Sequence, residues 1–227
     1  MAAACGFGVV LAGVTGIALE RGPLSATATP EEIAAFFVDY RMELLGQTFV
    51  FVLSSALFLW FLGGLRSLLL RAEGKPGTLS NIAFGAGLVW ITIAISLQGP
   101  QSALAMVSVK GSNPELAALM SELATALSVI AFVPMGAMLA AVAVVWLRSA
   151  ALPAFVGWLA AVAAIVHLVM SAGVAVDSGP LSAESPFSYM LTYSLMVLWL
   201  LAAAITMFKR SGRSSPENGN EPKEVSP

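Results

Sequence analysis

One stretch of this sequence, from Gln47 to Lys75, constrains the fold more than any other. It is a long apolar run that ends in a basic cluster formed by Arg66, Arg71 and Lys75. A helix of about 20 apolar residues crosses the ~30 Å hydrocarbon core of a bilayer. Basic residues beside such a helix mark the end that stays on the cytoplasmic side. The stretch therefore predicts a transmembrane helix with a defined orientation.

The composition extends this prediction to the whole chain. Of its 227 residues, 58% are hydrophobic and 11% are charged, whereas soluble domains are about 45–50% apolar and about 25% charged. The net charge of -2 argues against a nucleic-acid partner, which needs a basic face. Cys5 is the only cysteine and His167 the only histidine, so the chain has neither an internal disulfide nor a cysteine-based metal cluster. We expect an all-α, polytopic transmembrane bundle in a lipid bilayer.

Six apolar segments, separated by polar turns and longer polar connections, are long enough to span the bilayer. They form one transmembrane domain, 1–210, with spans at about 2–19, 45–65, 80–97, 123–147, 154–176 and 187–208. Residues 102–109 are apolar but too short to span, so we expect an interfacial or re-entrant piece there. Residues 211–227 are rich in Ser, Pro, Glu, Asn and Gly, which predicts a disordered tail.

The first apolar segment has two interpretations. As a retained span, it carries Gly8, Ala12 and Gly16 at intervals of four, a small-residue stripe suited to close helix packing. As a signal peptide, it would be cleaved near residues 26–28. A signal peptide begins with a basic region, which this segment lacks, so we favour the span.

Helix boundaries are also visible in the sequence. Thr29 followed by Pro30 and two glutamates predicts the start of a short interfacial helix, and Asn113 before Pro114 predicts another start. Pro134 lies inside the fourth span and removes one backbone hydrogen bond. We therefore expect a kink near residue 130.

The distribution of Lys and Arg predicts that both termini are cytoplasmic. With six spans, eight basic residues fall inside and three fall outside. Those inside are Arg66, Arg71, Lys75, Arg148, Lys209, Arg210, Arg213 and Lys223, and those outside are Arg21, Arg41 and Lys110. This orientation suits the inner membrane of a bacterium.

Polar residues within the spans concentrate in the outer halves, whereas the inner halves are nearly pure Leu, Val, Ala, Phe and Trp. Six such helices could enclose a polar, outward-opening cavity above an apolar plug. The candidate cavity residues are His167, Ser171, Thr192, Tyr193, Tyr189, Thr92, Ser96, Gln98 and Glu122.

His167 is the sharpest single candidate, because ionisable residues inside a membrane usually face the bundle interior and serve a function. It could bind a ligand or sense protons. The alternative is a neutral histidine that is hydrogen-bonded to a Ser, Thr or Tyr side chain on a neighbouring helix. A lone histidine supplies one haem ligand at best, so we expect no haem and no other cofactor.

Three classes of function stay open. The leading one is a non-enzymatic membrane protein that binds or passes a small molecule through the cavity. The second is a structural or regulatory partner of another membrane protein, or a homo-oligomer, for which we expect an open small-residue groove on the first span. The third is an outer-leaflet enzyme with His167, Glu122 and Asp177 clustered, although no GxSxG, HExxH, P-loop or GxGxxG motif is present.

Two segments, residues 58–87 and 132–162, carry a family resemblance. Their features are the basic end of the second span with its Glu-Gly turn, a Phe-Val-Pro kink, and a Leu-Pro-x-x-x-Gly-Trp motif at 152–158. The chain resembles an uncharacterised bacterial family of integral membrane proteins with about six spans, a domain of unknown function. The resemblance implies the same architecture and no established activity, so no functional residue follows from it.

Overall fold

A computed structural model of the protein describes residues 1–19, 28–107, 113–176, 178–183 and 185–211. In these ranges the regular structure is entirely helical, and a 3₁₀ turn occupies Ser171–Ala175. The α-helices are α1 (Ala2–Leu19), α2 (Pro30–Asp39), α3 (Arg41–Glu73), α4 (Thr78–Val107), α5 (Pro114–Ile130), α6 (Phe132–Arg148), α7 (Ala154–Met170) and α8 (Pro186–Ser211).

Six helical units in the described ranges are long and apolar enough to cross a membrane. They are α1, α3, α4, α5 joined to α6, α7 joined to the 3₁₀ turn, and α8. The prediction of an all-α bundle with six spans is confirmed. The chain has the character of a multi-pass integral membrane protein.

The six spans close into a ring. The helix α1 packs against α3, α3 against α4, and α4 against both α5 and α6. The ring continues from α6 to α7 and from α7 to α8, and α8 returns to α1. The first and last spans therefore meet, and each span has one face toward the ring interior and one toward its surroundings.

The two ends of this ring differ in charge and in packing. One end, named here the basic end, carries six of the seven Lys and Arg residues that the structure describes; the opposite end, named the α2 end, carries Arg41. Those six are Arg66, Arg71, Lys75, Arg148, Lys209 and Arg210. Toward the basic end the interior is filled by side chains with at most 2% exposure, among them Phe61, Leu65, Leu139, Trp146 and Trp199.

Capping chemistry sets several helix boundaries as expected. Thr29 and Glu32 form a reciprocal capping box at the start of α2. Asn113 caps α5 by accepting hydrogen bonds from the backbone N–H groups of Glu115 and Leu116. The helix is interrupted where the kink was predicted from Pro134, because α5 ends at Ile130 and α6 begins only after Ala131.

One prediction about α4 is wrong. Residues 102–107 are not a separate interfacial or re-entrant piece, because α4 continues through Pro100 to Val107. Tertiary contacts explain why the helix persists. Leu104 and Ala105 are buried in an apolar cluster with α2, and Arg41 donates a hydrogen bond of 3.0 Å to the carbonyl of Ala105. Residues 108–109 lie outside the described ranges.

The small residues of α1 are covered within the molecule. The buried stripe contains Gly6, Gly13 and Gly16, whereas Gly8 and Ala12 of the predicted stripe are half-buried. A Cβ at Gly6 would lie 2.8 Å from Ala204 and from Phe61, and one at Gly16 would lie 2.7 Å from Phe51. The helices α3 and α8 therefore pack into the small-residue face of α1 and cover part of the groove expected on the first span, with Gly8 and Ala12 half-buried.

Two further predictions concern residues at the ends of the described ranges or outside them. Ser211 was expected to begin the tail, but it is the last residue of α8. The rest of the predicted tail, 212–227, lies outside the described residues, as do Asp177 and most of the alternative cleavage site at 26–28.

Candidate ligand-binding cavity

A cavity of about 190 Å³ lies inside the ring, between the apolar core and the α2 end, and is partly open to the surface. Every span contributes to its wall. Its lining residues are Val9, Val10, Gly13, Phe51, Ser54, Ser55, Phe58, Trp90, Ile91, Ala94, Leu97, Gln98, Ser128, Ala131, Phe132, His167, Tyr189, Thr192, Tyr193, Met196, Val197 and Leu200. The wall is mostly apolar and aromatic, with a few polar side chains, which is the usual make-up of a small-molecule site.

His167 enters the cavity from α7 and is 3% exposed. Its Nδ1 lies 2.7 Å from the carbonyl oxygen of Ala163, one turn earlier in the same helix. A carbonyl accepts, so Nδ1 carries the proton, and in the neutral ring Nε2 is an acceptor. The ring of Phe132 packs against the imidazole edge to face, at 5.7 Å between centroids. The small residues Ala160, Ala163 and Ala164 of α7 are buried, as expected for a helix face packed closely against its neighbours.

The bond to Ala163 differs from the expected arrangement. The structural alternative for His167 was a hydrogen bond to a side chain on a neighbouring helix. The structure instead satisfies one ring nitrogen within α7 itself. The second nitrogen, Nε2, has no hydrogen-bond partner among the described residues, so this side of the imidazole is left for whatever occupies the cavity.

Gln98 supplies a second acceptor from α4. Its side chain is 8% exposed, and its Oε1 is buried without a hydrogen-bond partner among the described residues. A buried amide oxygen without a partner is destabilising by about 1–3 kcal/mol relative to a paired one. Gln98 of α4 and His167 of α7 therefore line one cavity, and each carries an acceptor that no donor among the described residues satisfies.

The wall formed by α8 contributes Tyr189, Thr192 and Tyr193. The two tyrosine rings stack, with 6.1 Å between centroids. The Thr192 hydroxyl donates to the carbonyl of Ser188 at 2.8 Å, so it is satisfied within its own helix. The closeness of Gly13 to the Tyr193 hydroxyl leaves no room for a Cβ at that glycine. Tyr189 is 40% exposed, which places this wall at the boundary between the cavity and the surface.

The structure brings together five of the nine predicted site residues: His167, Gln98, Tyr189, Thr192 and Tyr193. The other four do not line the cavity. Thr92 and Ser96 are exposed on α4 and donate to carbonyls one turn back, while Ser171 donates to the carbonyl of Leu168. Glu122 is exposed on α5. The sequence analysis placed these four residues with the others because all lie at a similar depth in the membrane. In the structure they lie on helix faces that do not line the cavity.

The cavity residues that the sequence analysis did not propose come from every span except that of α7, and those with a hydroxyl group are Ser54 and Ser55 of α3 and Ser128 of α5. Phe51, Ser54, Ser55 and Phe58 lie on one face of α3, at spacings of three, four and seven. That spacing is a readable signal of a common face. Ser128 of α5 lies three residues before the break at Ala131, and no sequence pattern distinguishes it.

The described residues contain no group of three His, Cys, Asp or Glu side chains that could hold a metal ion. No carboxylate lies among the lining residues of the cavity in the described part of the chain. The three-residue cluster expected of an enzyme is not formed by its two described members, since His167 is buried and Glu122 is exposed away from the cavity.

Comparison of the chain with family models, with curated proteins and with solved structures finds no match in any of the three.

Proposed function

We propose that this multi-pass membrane protein binds a small, mostly apolar molecule in the cavity, and that the molecule donates hydrogen bonds to Gln98 and His167. One observation carries the proposal. Gln98 lines the cavity, and its Oε1 is buried without a hydrogen-bond partner among the described residues; most buried polar atoms in proteins are hydrogen-bonded, and a donor on a bound molecule would satisfy this one.

The lining defines the chemical class of the ligand. Phe51, Phe58, Trp90 and Phe132 favour an aromatic or otherwise apolar body. The two acceptors favour a hydroxyl or N–H group on that body, and they disfavour an anion. A volume of about 190 Å³ admits a molecule the size of one or two fused rings.

Binding is better supported than passage. Beyond the cavity, toward the basic end, the ring interior is occupied by Phe61, Leu62, Leu139 and Trp199, each at most 1% exposed. A molecule moving through the ring would have to displace these close-packed side chains. The geometry therefore favours a site that is reached from one side.

The test compares 1-naphthol with 1-methoxynaphthalene, which has the same ring system without a hydroxyl donor. Binding to the purified full-length protein in detergent micelles is measured by isothermal titration calorimetry. One neutral hydrogen bond contributes about 0.5–1.5 kcal/mol, so naphthol should bind about 2- to 12-fold more tightly than the ether. Because naphthol has one O–H donor and can bond one acceptor at a time, removal of the acceptor that it uses, by either His167→Leu or Gln98→Leu, should abolish that preference.

Thr192→Val is the matched control, because it changes a cavity hydroxyl that is already satisfied by Ser188. It should leave the preference for naphthol unchanged. If naphthol and its ether bind equally well to the wild-type protein, or if neither binds, the proposed site is refuted.

We further propose a bacterial inner membrane with both termini in the cytoplasm, because the basic end would then satisfy the positive-inside bias. An alkaline phosphatase fused after Pro227 should be inactive, whereas green fluorescent protein fused there should fluoresce. Active phosphatase would reverse the orientation. Membership of the six-span bacterial family stays a prediction from the resemblance.

A further inference from the structure

A second candidate site lies at the basic end and shares no lining residue with the cavity. A groove of about 960 Å³ runs between the start of α1, the end of α3, the α6–α7 turn and the end of α8. Three cations line it: Arg71 of α3, and Lys209 and Arg210 of α8. No Asp or Glu lines it within the described residues. The groove, named here the cationic groove, therefore concentrates positive charge.

The cations differ in how they are held. Arg210 donates a hydrogen bond of 2.9 Å to the carbonyl of Ala151, which fixes its guanidinium against the α6–α7 turn. Arg71 and Lys209 make no hydrogen bond or ion pair with any residue that the structure describes. By contrast, Arg66 at the same end is engaged by Asn81 and lies over the ring of Phe84. The side-chain N–H donors of Arg71 and Lys209 are therefore available to a ligand. The positive charges clustered in the cationic groove favour binding of an anion.

An apolar groove continues from the cationic one along α3. It has a volume of about 480 Å³ and shares Ala2, Gly64 and Ser67 with the cationic groove. From Ser67 it extends toward Leu59 and Trp60, a rise of about 12 Å along the helix. Trp60 is 61% exposed.

Gly63 keeps this apolar groove open. A Cβ at Gly63 would meet no atom within 4 Å, whereas one at Gly64 would meet Ala2. The groove therefore has room at its centre and is closed on one side by the start of α1. Its shape is that of a shallow trough in the membrane-facing surface.

We propose that the two grooves together bind one anionic phospholipid, with its phosphate at Arg71, Lys209 and Arg210 and an acyl chain along the trough beside Trp60 and Gly63. Basic pockets between transmembrane helices are suited to anionic lipid headgroups. The continuity of the cationic and apolar grooves favours a lipid over free phosphate, which would use only the first. The inference is independent of the central cavity.

The experiment measures lipid binding to the full-length protein by native mass spectrometry from detergent. Phosphatidylglycerol and phosphatidylcholine with identical acyl chains are titrated separately. Phosphatidylglycerol should bind more tightly, and Arg71→Gln or Lys209→Gln should each weaken it about fivefold, as expected for one interfacial charge. Lys75→Gln removes a cation at the same end that does not line either groove, so it should leave the affinity unchanged.

A second pair of variants tests the acyl chain. Gly63→Leu should fill the trough and weaken phosphatidylglycerol binding. Gly85→Leu is the matched control, since a Cβ there also meets no atom within 4 Å but Gly85 lies on α4, outside both grooves. Because neither position is crowded, both variants should fold, and their thermal unfolding midpoints check this directly.

Three outcomes would overturn the proposal. One is equal affinity for the two lipids. Another is competition by inorganic phosphate combined with no effect of Gly63→Leu, which would identify a free-phosphate site. The third is an unchanged affinity for phosphatidylglycerol in both Arg71→Gln and Lys209→Gln, which would show that these cations do not hold the headgroup.

Discussion

Replacing Gln98 with leucine should stabilise the ligand-free protein, although it removes a buried polar side chain from the middle of the bundle. The Oε1 of Gln98 is buried and finds no protein donor in the described residues. Leaving such a group without a protein partner lowers the free energy of unfolding by about 1–3 kcal/mol. Solvent that reaches a partly open cavity reduces this penalty, so we expect a gain of about 1 kcal/mol from Gln98→Leu.

The size of the expected shift follows from the length of the chain. For a protein of 150–250 residues, 1 kcal/mol moves the thermal midpoint by about 2–4 °C. The assay is thermal unfolding of the full chain in one detergent at one scan rate, followed by tryptophan fluorescence. A fixed scan rate is needed because membrane-protein unfolding is often irreversible.

Thr192→Val, in the same cavity, should change the thermal midpoint in the opposite direction. Its hydroxyl donates to the carbonyl of Ser188, so the variant loses a formed hydrogen bond and should be less stable by about 0.5–1.5 kcal/mol. If Gln98→Leu lowers the midpoint as much as Thr192→Val does, then Gln98 is an ordinary structural residue. The reasoning about an unpartnered acceptor would then be refuted.

Two further predictions concern packing and capping. The carboxylate of Glu73 accepts hydrogen bonds from the backbone N–H groups of Leu79 and Ser80 and from the Ser80 hydroxyl at the start of α4. Glu73→Ala should therefore lower the free energy of unfolding by about 1–2 kcal/mol, and Glu73→Gln should lower it by less. Equal thermal midpoints for Glu73→Ala and the wild type would contradict this. Gly6→Val should lower the free energy of unfolding by about 1–3 kcal/mol, because the larger side chain overpacks against Phe61 and Ala204. Gly85→Val is the control: a Cβ there meets no atom within 4 Å, so its free energy of unfolding should stay within about 0.5 kcal/mol of the wild type. Similar losses in both variants would contradict the close approach of α1, α3 and α8.

The elements that could be predicted from the sequence depend on local chemistry. The caps at Thr29 and Asn113, the break before Pro134 and the apolar lengths of the six spans are each set by residues within one or two turns. The extent of α4 was predicted wrongly because its last turns are held by distant residues of α2 and by Arg41. Propensity alone would end a helix near Pro100, and tertiary packing prevents it.

The rotation of each helix about its own axis could not be predicted in the same way. Ser96 and Gln98 are both polar and lie two residues apart, so they point about 160° away from each other around α4. The sequence grouped them by depth, yet Gln98 lines the cavity and Ser96 is exposed. Only contacts with other helices decide which face turns inward, and those contacts are not encoded in a short window.

Among the polar residues of the spans, a missing hydrogen-bond partner is a better sign of a binding residue than polarity alone. Thr92 and Ser96 donate to carbonyls of their own helix, which lets a hydroxyl face lipid without an unpaired group. Thr48 and Trp199 each have a buried atom that finds no partner in the described part of the chain, but neither residue lines the cavity. Gln98 combines the two properties, since its Oε1 has no partner among the described residues and the residue lines the same cavity as His167. The coincidence of an unmet hydrogen bond with a cavity, rather than either alone, is what makes this site a candidate for ligand binding.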